Sequence, residues 1–403
     1  ITRHTLAHTR TPPAQAKPFD TTQTMGGLVY SNYGSIDSAE FIFDINRDDS
    51  RNHDYNIAGI ASYNAFGASV TNAYAHGHVD IFQENNAFVR LSGIVGTGPG
   101  KMENVRNETS FNVTAYNVEL AGIARATGRV VNCANTGDIK ANSWGYLQRI
   151  AGIVLTNEVL VDSCSNSGNI HFAYSSSLGA DSVAMAGIVA LNFGGGVVKN
   201  VLNEGRILME DISREGNYPS RYGIGGIVGL NWGLVDSTEN GKPVLHECPN
   251  FYNECEYSHV ETARSTFSIG GVSGKNFGEL KNSKNLGRVA GFTNVGGVAG
   301  LSDSLLENVN NRGPVYGISV SYEHYAYTNT TEPYVGGIAG RCNVVEGAYN
   351  EAPIFYGYAA QKKSSHIGGV CGNLKGSMNQ AYNIGDIYSE DNVDSSFVAG
   401  IVA

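Results

Sequence analysis

The chain has 403 residues, a net charge of −10 and only 16% charged residues, with 51 glycines against 10 prolines. Scarce proline without a G-X-Y register excludes collagen, and Val, Ile, Leu and 22 Tyr spread along the whole length exclude a disordered linker. No apolar run reaches the roughly 18 residues of a membrane-spanning helix, and the acidic balance argues against nucleic acid or an anionic membrane as main partner.

Residues 1–23 differ from all that follows. They hold Arg3, Arg10 and Lys17 against the single acid Asp20, together with Pro12-Pro13. This segment reads as an extended N-terminal arm, or as a cap over the first strand edges. The opening Ile1-Thr2-Arg3-His4 has no initiator Met and no leader, so a processed form or an excised piece is expected.

From residue 24 onward a small-Gly-aliphatic triplet recurs. Its anchors are Gly27, Gly59, Gly93, Gly122, Gly152, Gly187, Gly226, Gly271, Gly297, Gly337, Gly369 and Gly400, spaced 26 to 45 residues apart. Five residues after the anchor stands Asn32, Asn64, Asn157, Asn192, Asn231 or Asn276. A further beat is Asn-x-Gly, at Asn135, Asn166, Asn203, Asn285, Asn311 and Asn383. Each unit reads as three short strands separated by Asn/Gly turns, residues that tolerate positive φ. The shortest unit, 26 residues from Gly271 to Gly297, is too short for a four-stranded propeller blade. The expectation is an all-β parallel β-helix, or solenoid, of about eleven three-strand coils over residues 24–403. Strands stacked roughly 4.8 Å apart would give a rod on the order of 50 Å long. Asparagines at equivalent turns would stack as an amide ladder.

Two units carry a resemblance. Gly225-Gly226-Ile227-Val228-Gly229-Leu230-Asn231-Trp232-Gly233 and Gly270-Gly271-Val272-Ser273-Gly274-Lys275-Asn276-Phe277-Gly278 resemble the GLUG-type repeat. That repeat occurs in bacterial surface adhesins and in the β-helical N-terminal regions of bacterial metallo-IgA1 proteases. The resemblance covers residues of about 26 to 403, most closely 225–300. It implies a right-handed β-helix outside a bacterial cell.

Length variation concentrates between the third strand and the next anchor, near 44–57, 173–185, 208–224, 241–269, 316–335 and 355–367. Such insertions would project from one side and offer a contact face. They carry Tyr218, Tyr222, Tyr252, Tyr257, Tyr322, Tyr325, Tyr327 and Tyr334, with Tyr356 and Tyr358. Tyrosine supplies contact area at low entropy cost, although it also suits a half-buried β surface packed on the rod.

Catalytic and metal signatures are missing. His246-Glu247 lacks the second His of HExxH, so the zinc chemistry of the protease relatives has no residues to attach to, and no GxSxG occurs. The pairs Asp48-Asp49, Glu210-Asp211, Glu254 with Glu256, and Glu390-Asp391 do not recur at one position in successive units, as a catalytic row would. His76 and His78 alternate on one strand without an identifiable third metal ligand. Cys248 and Cys255 could staple the longest insertion as a disulfide. Cys133 and Cys164, at nearly matching positions, could stack as thiols or bond, Cys342 and Cys371 are offset from one another, and all four read by default as buried small hydrophobes. No catalytic residue, metal or cofactor is assigned.

The expected function is an extracellular structural or adhesive solenoid of a bacterial surface protein or fibre. Its partners would be a host or neighbouring-cell protein or glycan, or further copies end to end, without nucleic acid or direct membrane insertion. The alternatives are a scaffold module of a larger secreted IgA1-protease-like enzyme and a glycan-cleaving β-helix. Gly400-Ile401-Val402 opens a further unit, so a chain continuing beyond Ala403, or a partner covering that end, is expected.

Overall fold

The computed structural model describes residues 22–49, 53–174, 182–211, 222–247, 267–318, 333–357, 365–389 and 396–403. All elements among these residues are β-strands, and strands pair in parallel with the equivalent strand one repeat later. The expected arm lies outside the described residues, apart from Thr22 and Gln23, which open the first strand, Thr22–Gly26. So does the Cys248 and Cys255 pair.

Twelve strands form one sheet, from Thr22–Gly26 to Ser396–Ala399, and the remaining 33 join a second. Each of the twelve stops one residue before an anchor glycine. The alternation of strand side chains turns one position inward throughout. Ile57, Leu91, Leu120, Ile150, Met185, Ile224, Ile269, Val295, Val335 and Ile367 thus form one in-register row, each at most 2% exposed. Each such side chain contributes about 1.5–3 kcal/mol by leaving water. The main hydrophobic cluster runs from Phe41 to Cys371, and a small second one gathers Ala121, Ala151, Leu155, Ala184, Ala190, Leu191 and Leu230.

The anchors are glycine because of close approach. A Cβ on Gly226 would lie 2.0 Å from the Gly271 carbonyl oxygen and 2.3 Å from Asn240 Cγ. Gly122 meets Gly152 and Asn135 in the same way. Positive φ, expected of the Asn and Gly turns, sits elsewhere. Ten non-glycine residues, among them Asn72, Asn104, Asn132, Asn200, Asn282 and Asn308, hold φ between 47 and 56°, and Gly347 holds 69°. These residues mark a left-handed corner about eleven residues after each anchor, where asparagine is tolerated because its short polar side chain bonds locally.

Asparagine columns tie the repeats together. In one, the Nδ2 of each residue donates to the Oδ1 of the next through Asn107, Asn135, Asn166, Asn203, Asn240, Asn285, Asn311, Asn350 and Asn383, at 2.7–2.9 Å. A second column runs Asn157, Asn192, Asn231, Asn276 and ends on the Ser302 hydroxyl. The same amides also donate to the carbonyl two residues on, as Asn203 does to Gly205 at 2.8 Å. Buried amides are thereby satisfied without water.

The connection leaving the 12-stranded sheet is constant. Two residues separate Ala58 from Ala61, and two separate Gly368 from Cys371. The connection entering it varies. Tyr116 alone separates Arg106–Ala115 from Asn117–Ala121, whereas residues 248–267 separate Val244–Glu247 from Ser268–Gly270.

Candidate functional site

Six of the eight tyrosines singled out by the sequence, Tyr218, Tyr252, Tyr257, Tyr322, Tyr325 and Tyr327, lie outside the described residues, as does Tyr358. Tyr222 requires a correction. It opens the strand Tyr222–Gly225 in register with Val183, and alternation turns it into the core. It is fully buried, with its ring centroid 4.5 Å from that of Phe267, so it makes no outward contact. Tyr356 is buried in the core for the same reason.

Tyr334 points outward and is half-buried. It belongs to the row Asn294, Tyr334, His366, Phe397 of the 12-stranded sheet. Parallel pairing without offset places like positions over one another, so the rings stack. Tyr334 and His366 lie 5.0 Å apart at 21°, and His366 and Phe397 4.9 Å apart at 9°. The Arg341 guanidinium sits 5.1 Å from the Tyr334 ring centre. A second stack joins Tyr316, Phe355 and Tyr388 at 4.7 and 5.0 Å, with Arg288 at 4.2 Å from Tyr316. Both rows lie beside the connections that enter the 12-stranded sheet.

A third stack was not singled out by sequence reasoning. Phe193, Trp232 and Phe277 follow the column asparagines Asn192, Asn231 and Asn276. Their rings lie 5.7 and 5.5 Å apart within 18° of parallel, each 38–40% exposed. The signal was an aromatic at one offset in three successive units. Such stacks contribute about 0.5–1.5 kcal/mol per pair beyond burial.

The titratable groups form local pairs. His76 Nε2 lies 3.3 Å from Glu40 Oε1 under the Tyr74 ring, while His78 is exposed. Burial and a hydrogen bond to Glu108 push the Tyr74 phenol up to about 12. Among the described residues no group of three His, Cys, Asp or Glu side chains is arranged to hold a metal. Lys275 is 4% exposed, and burial pulls its amine down to about 8 against the pull of Asp303.

The cysteines also call for a correction. Cys342 and Cys371 form a disulfide between adjacent repeats, with Cα atoms 6.3 Å apart. Their different offsets from their own anchors concealed this, because the bond joins the fourth residue of Ala339–Asn350 to the first residue of Cys371–Asn383, three positions out of register. Cys133 and Cys164 are free and buried, the Cys133 N–H donating to the Cys164 sulfur at 3.4 Å. Contact with Cys133 and burial push the Cys164 thiol well above its usual range.

Comparison of the chain with protein-family models, with curated proteins and with solved structures finds no match.

Proposed function

We propose that this chain is a β-solenoid of eleven three-strand coils, serving as an extracellular structural or adhesive element that meets its partner along one side. The observation that carries this reading is the contrast between its two connections. The exit from the 12-stranded sheet keeps two residues, as between Ala186 and Val189, while the entry ranges from Tyr116 alone to residues 248–267. A scaffold held constant while one edge changes length is the arrangement of a binding face on a repeat array. Support also comes from the outward rows ending in Tyr334–His366–Phe397 and Tyr316–Phe355–Tyr388, which flank those entries. The GLUG-like units at 225–233 and 270–278 favour a bacterial surface setting.

Two measurements test it. Electron microscopy should image rods on the order of 50 Å long per chain; compact globular particles would overturn the solenoid. Replacing residues 319–332 with a short Gly-Ser linker should leave the unfolding midpoint unchanged and weaken adhesion to cells or immobilised glycans. Unchanged adhesion after all the long entries are shortened would overturn the contact-face reading.

A further inference from the structure

The entry edge is bare where its connections are short. Residue 116 and residues 144–146 are the whole connections before Asn117–Ala121 and Leu147–Ala151. Aromatic rings occupy this stretch. Tyr146, 42% exposed, lies 5.9 Å from Phe88 and from Tyr116, both at 77°. Tyr116 in turn lies 6.5 Å from Trp144 at 70°. Edge-to-face contacts of this kind leave ring faces open, unlike the parallel stacks elsewhere on the chain.

A cationic cluster adjoins these rings. Arg90, Glu119 and Arg149 are successive members of one outward row. Glu119 Oε2 accepts from Arg90 Nε at 3.0 Å, and its Oε1 accepts from Arg149 Nη1 at 3.3 Å. Arg125 Nη1 stands 3.9 Å from the same carboxylate, and Nη2 of Arg125 donates to Asn56 Oδ1 at 2.5 Å. The Arg90 guanidinium also covers the Phe88 ring at 4.4 Å. Asp54 is the other acid, 3.7 Å from Arg90, with one oxygen already taken by the Phe88 N–H.

Three guanidiniums therefore face two carboxylates, a local excess of positive charge on a chain of net charge −10. Donors outnumber acceptors as well. The Nε atoms of Arg125 and Arg149 are buried with no hydrogen-bond partner among the described residues. Arg125 has a side chain only 9% exposed, and a buried guanidinium gains most from an added anion because water no longer screens it. Arg90 and Arg149, at 25% and 30%, remain within reach of solvent.

We propose that this patch binds an anionic sugar, with Trp144 and Tyr146 against its C–H face and its carboxylate or sulfate on Arg149 and Arg90. Flat rings set at angles suit the broad apolar face of a pyranose. The adjacent guanidinium forks suit a planar or tetrahedral oxyanion. An acidic peptide offers the charge without that face. The assignment goes beyond the preceding reading and stands or falls separately, since it requires only the described chain and a soluble ligand.

Isothermal titration of the intact chain with four probes tests it: a glucuronate-containing disaccharide, a sulfated disaccharide lacking uronate, their neutral counterpart, and an oligoglutamate peptide. At least one anionic probe should bind tenfold or more tightly than the neutral one and weaken as salt is raised. Arg149→Gln and Tyr146→Ala should each weaken it tenfold or more at an unchanged unfolding midpoint. Should Arg149→Gln disturb folding, Tyr146→Ala, a change at an exposed ring, decides the matter. Equal affinity for charged and neutral probes, absence of binding, or tighter binding of an oligoglutamate peptide would overturn the assignment.

Discussion

Asn203 joins two neighbouring repeats through one amide: its Nδ2 donates to Asn240 Oδ1 at 2.9 Å while its Oδ1 accepts from Asn166 Nδ2 at 2.9 Å. The residue is fully buried, and the same Nδ2 also donates to the Gly205 carbonyl.

Asn203→Ala orphans buried partners on both sides. A loss of roughly 2–4 kcal/mol in urea denaturation is expected, at the upper end for single hydrogen-bond deletions because several groups lose partners. Asn203→Asp keeps the shape but sets a carboxylate against the acceptors Asn240 Oδ1 and Gly205 O. Burial then raises its folded pKa above the unfolded one, so its deficit relative to wild type should shrink as pH falls through the folded value. A pH-independent deficit would argue against a column held by amide polarity.

Two glycines separate close approach from mere flexibility. Gly226→Ala places a methyl 2.0 Å from the Gly271 carbonyl oxygen and should cost at least about 3 kcal/mol or abolish folding. Gly357→Ala meets nothing within 4 Å and should stay within about 0.5 kcal/mol of wild type. Thermal unfolding monitored by circular dichroism distinguishes the pair.

Lys275 gives a pH signature. Its ordinary value of 10.5 applies in the unfolded chain, and burial lowers it to about 8 in the folded one. Between pH 8 and 10.5 the unfolded state therefore binds more protons, and this group makes stability rise with pH. Lys275→Met should remove that rise and stabilise the protein at pH 7 by roughly 2–3 kcal/mol. Chemical denaturation of both proteins at pH 7 and pH 10 measures the difference.

The Cys342–Cys371 disulfide closes a separation of 29 residues. Chain-entropy arguments assign such a loop about 3.5 kcal/mol, so reduction should lower the unfolding midpoint measurably. Peptide mapping without reductant should recover Cys342 linked to Cys371, with Cys133 and Cys164 alkylated only after unfolding. Alkylation of Cys342 in the folded protein would contradict the bond.

The repeat spacing was legible because close backbone approach leaves glycine no substitute at the anchors, from Gly59 to Gly369. The asparagine column was legible only in part. Asn107, Asn240 and Asn350 escaped the Asn-x-Gly reading because Thr109, Lys242 and Ala352 replace the glycine. The column needs the amide and the carbonyl two residues on, as at Asn240 and Lys242, and any residue supplies that carbonyl. The left-handed corner at Asn72 or Asn282 was also missed, since a backbone conformation leaves only a weak mark on composition. Tyr222 was misread because a tyrosine beside a long insertion looks the same whether strand alternation turns it in or out. The cationic cluster assembles from Arg90, Glu119, Arg125 and Arg149, lying on three strands of one sheet and one of the other, and no local pattern announces it.

The asparagine columns have an electrical consequence. Backbone bonds between repeats run both ways, as in Gly59 N–H to Ser92 O and Tyr74 N–H to Ala39 O, so their polarity largely cancels. Within the two buried columns the side-chain amides do not alternate: from Asn107 to Asn383, and from Asn157 to Asn276, every Nδ2 points toward the later repeat, whereas the exposed corner amides, such as Asn104 to Asn72, point the other way. Nine aligned amides thus add as peptide units do in a helix, leaving a partial positive charge at Asn383 and a partial negative one at Asn107. Each buried column is thus a built-in dipole along the direction in which the repeats pair, made wholly of neutral side chains and beyond the reach of pH.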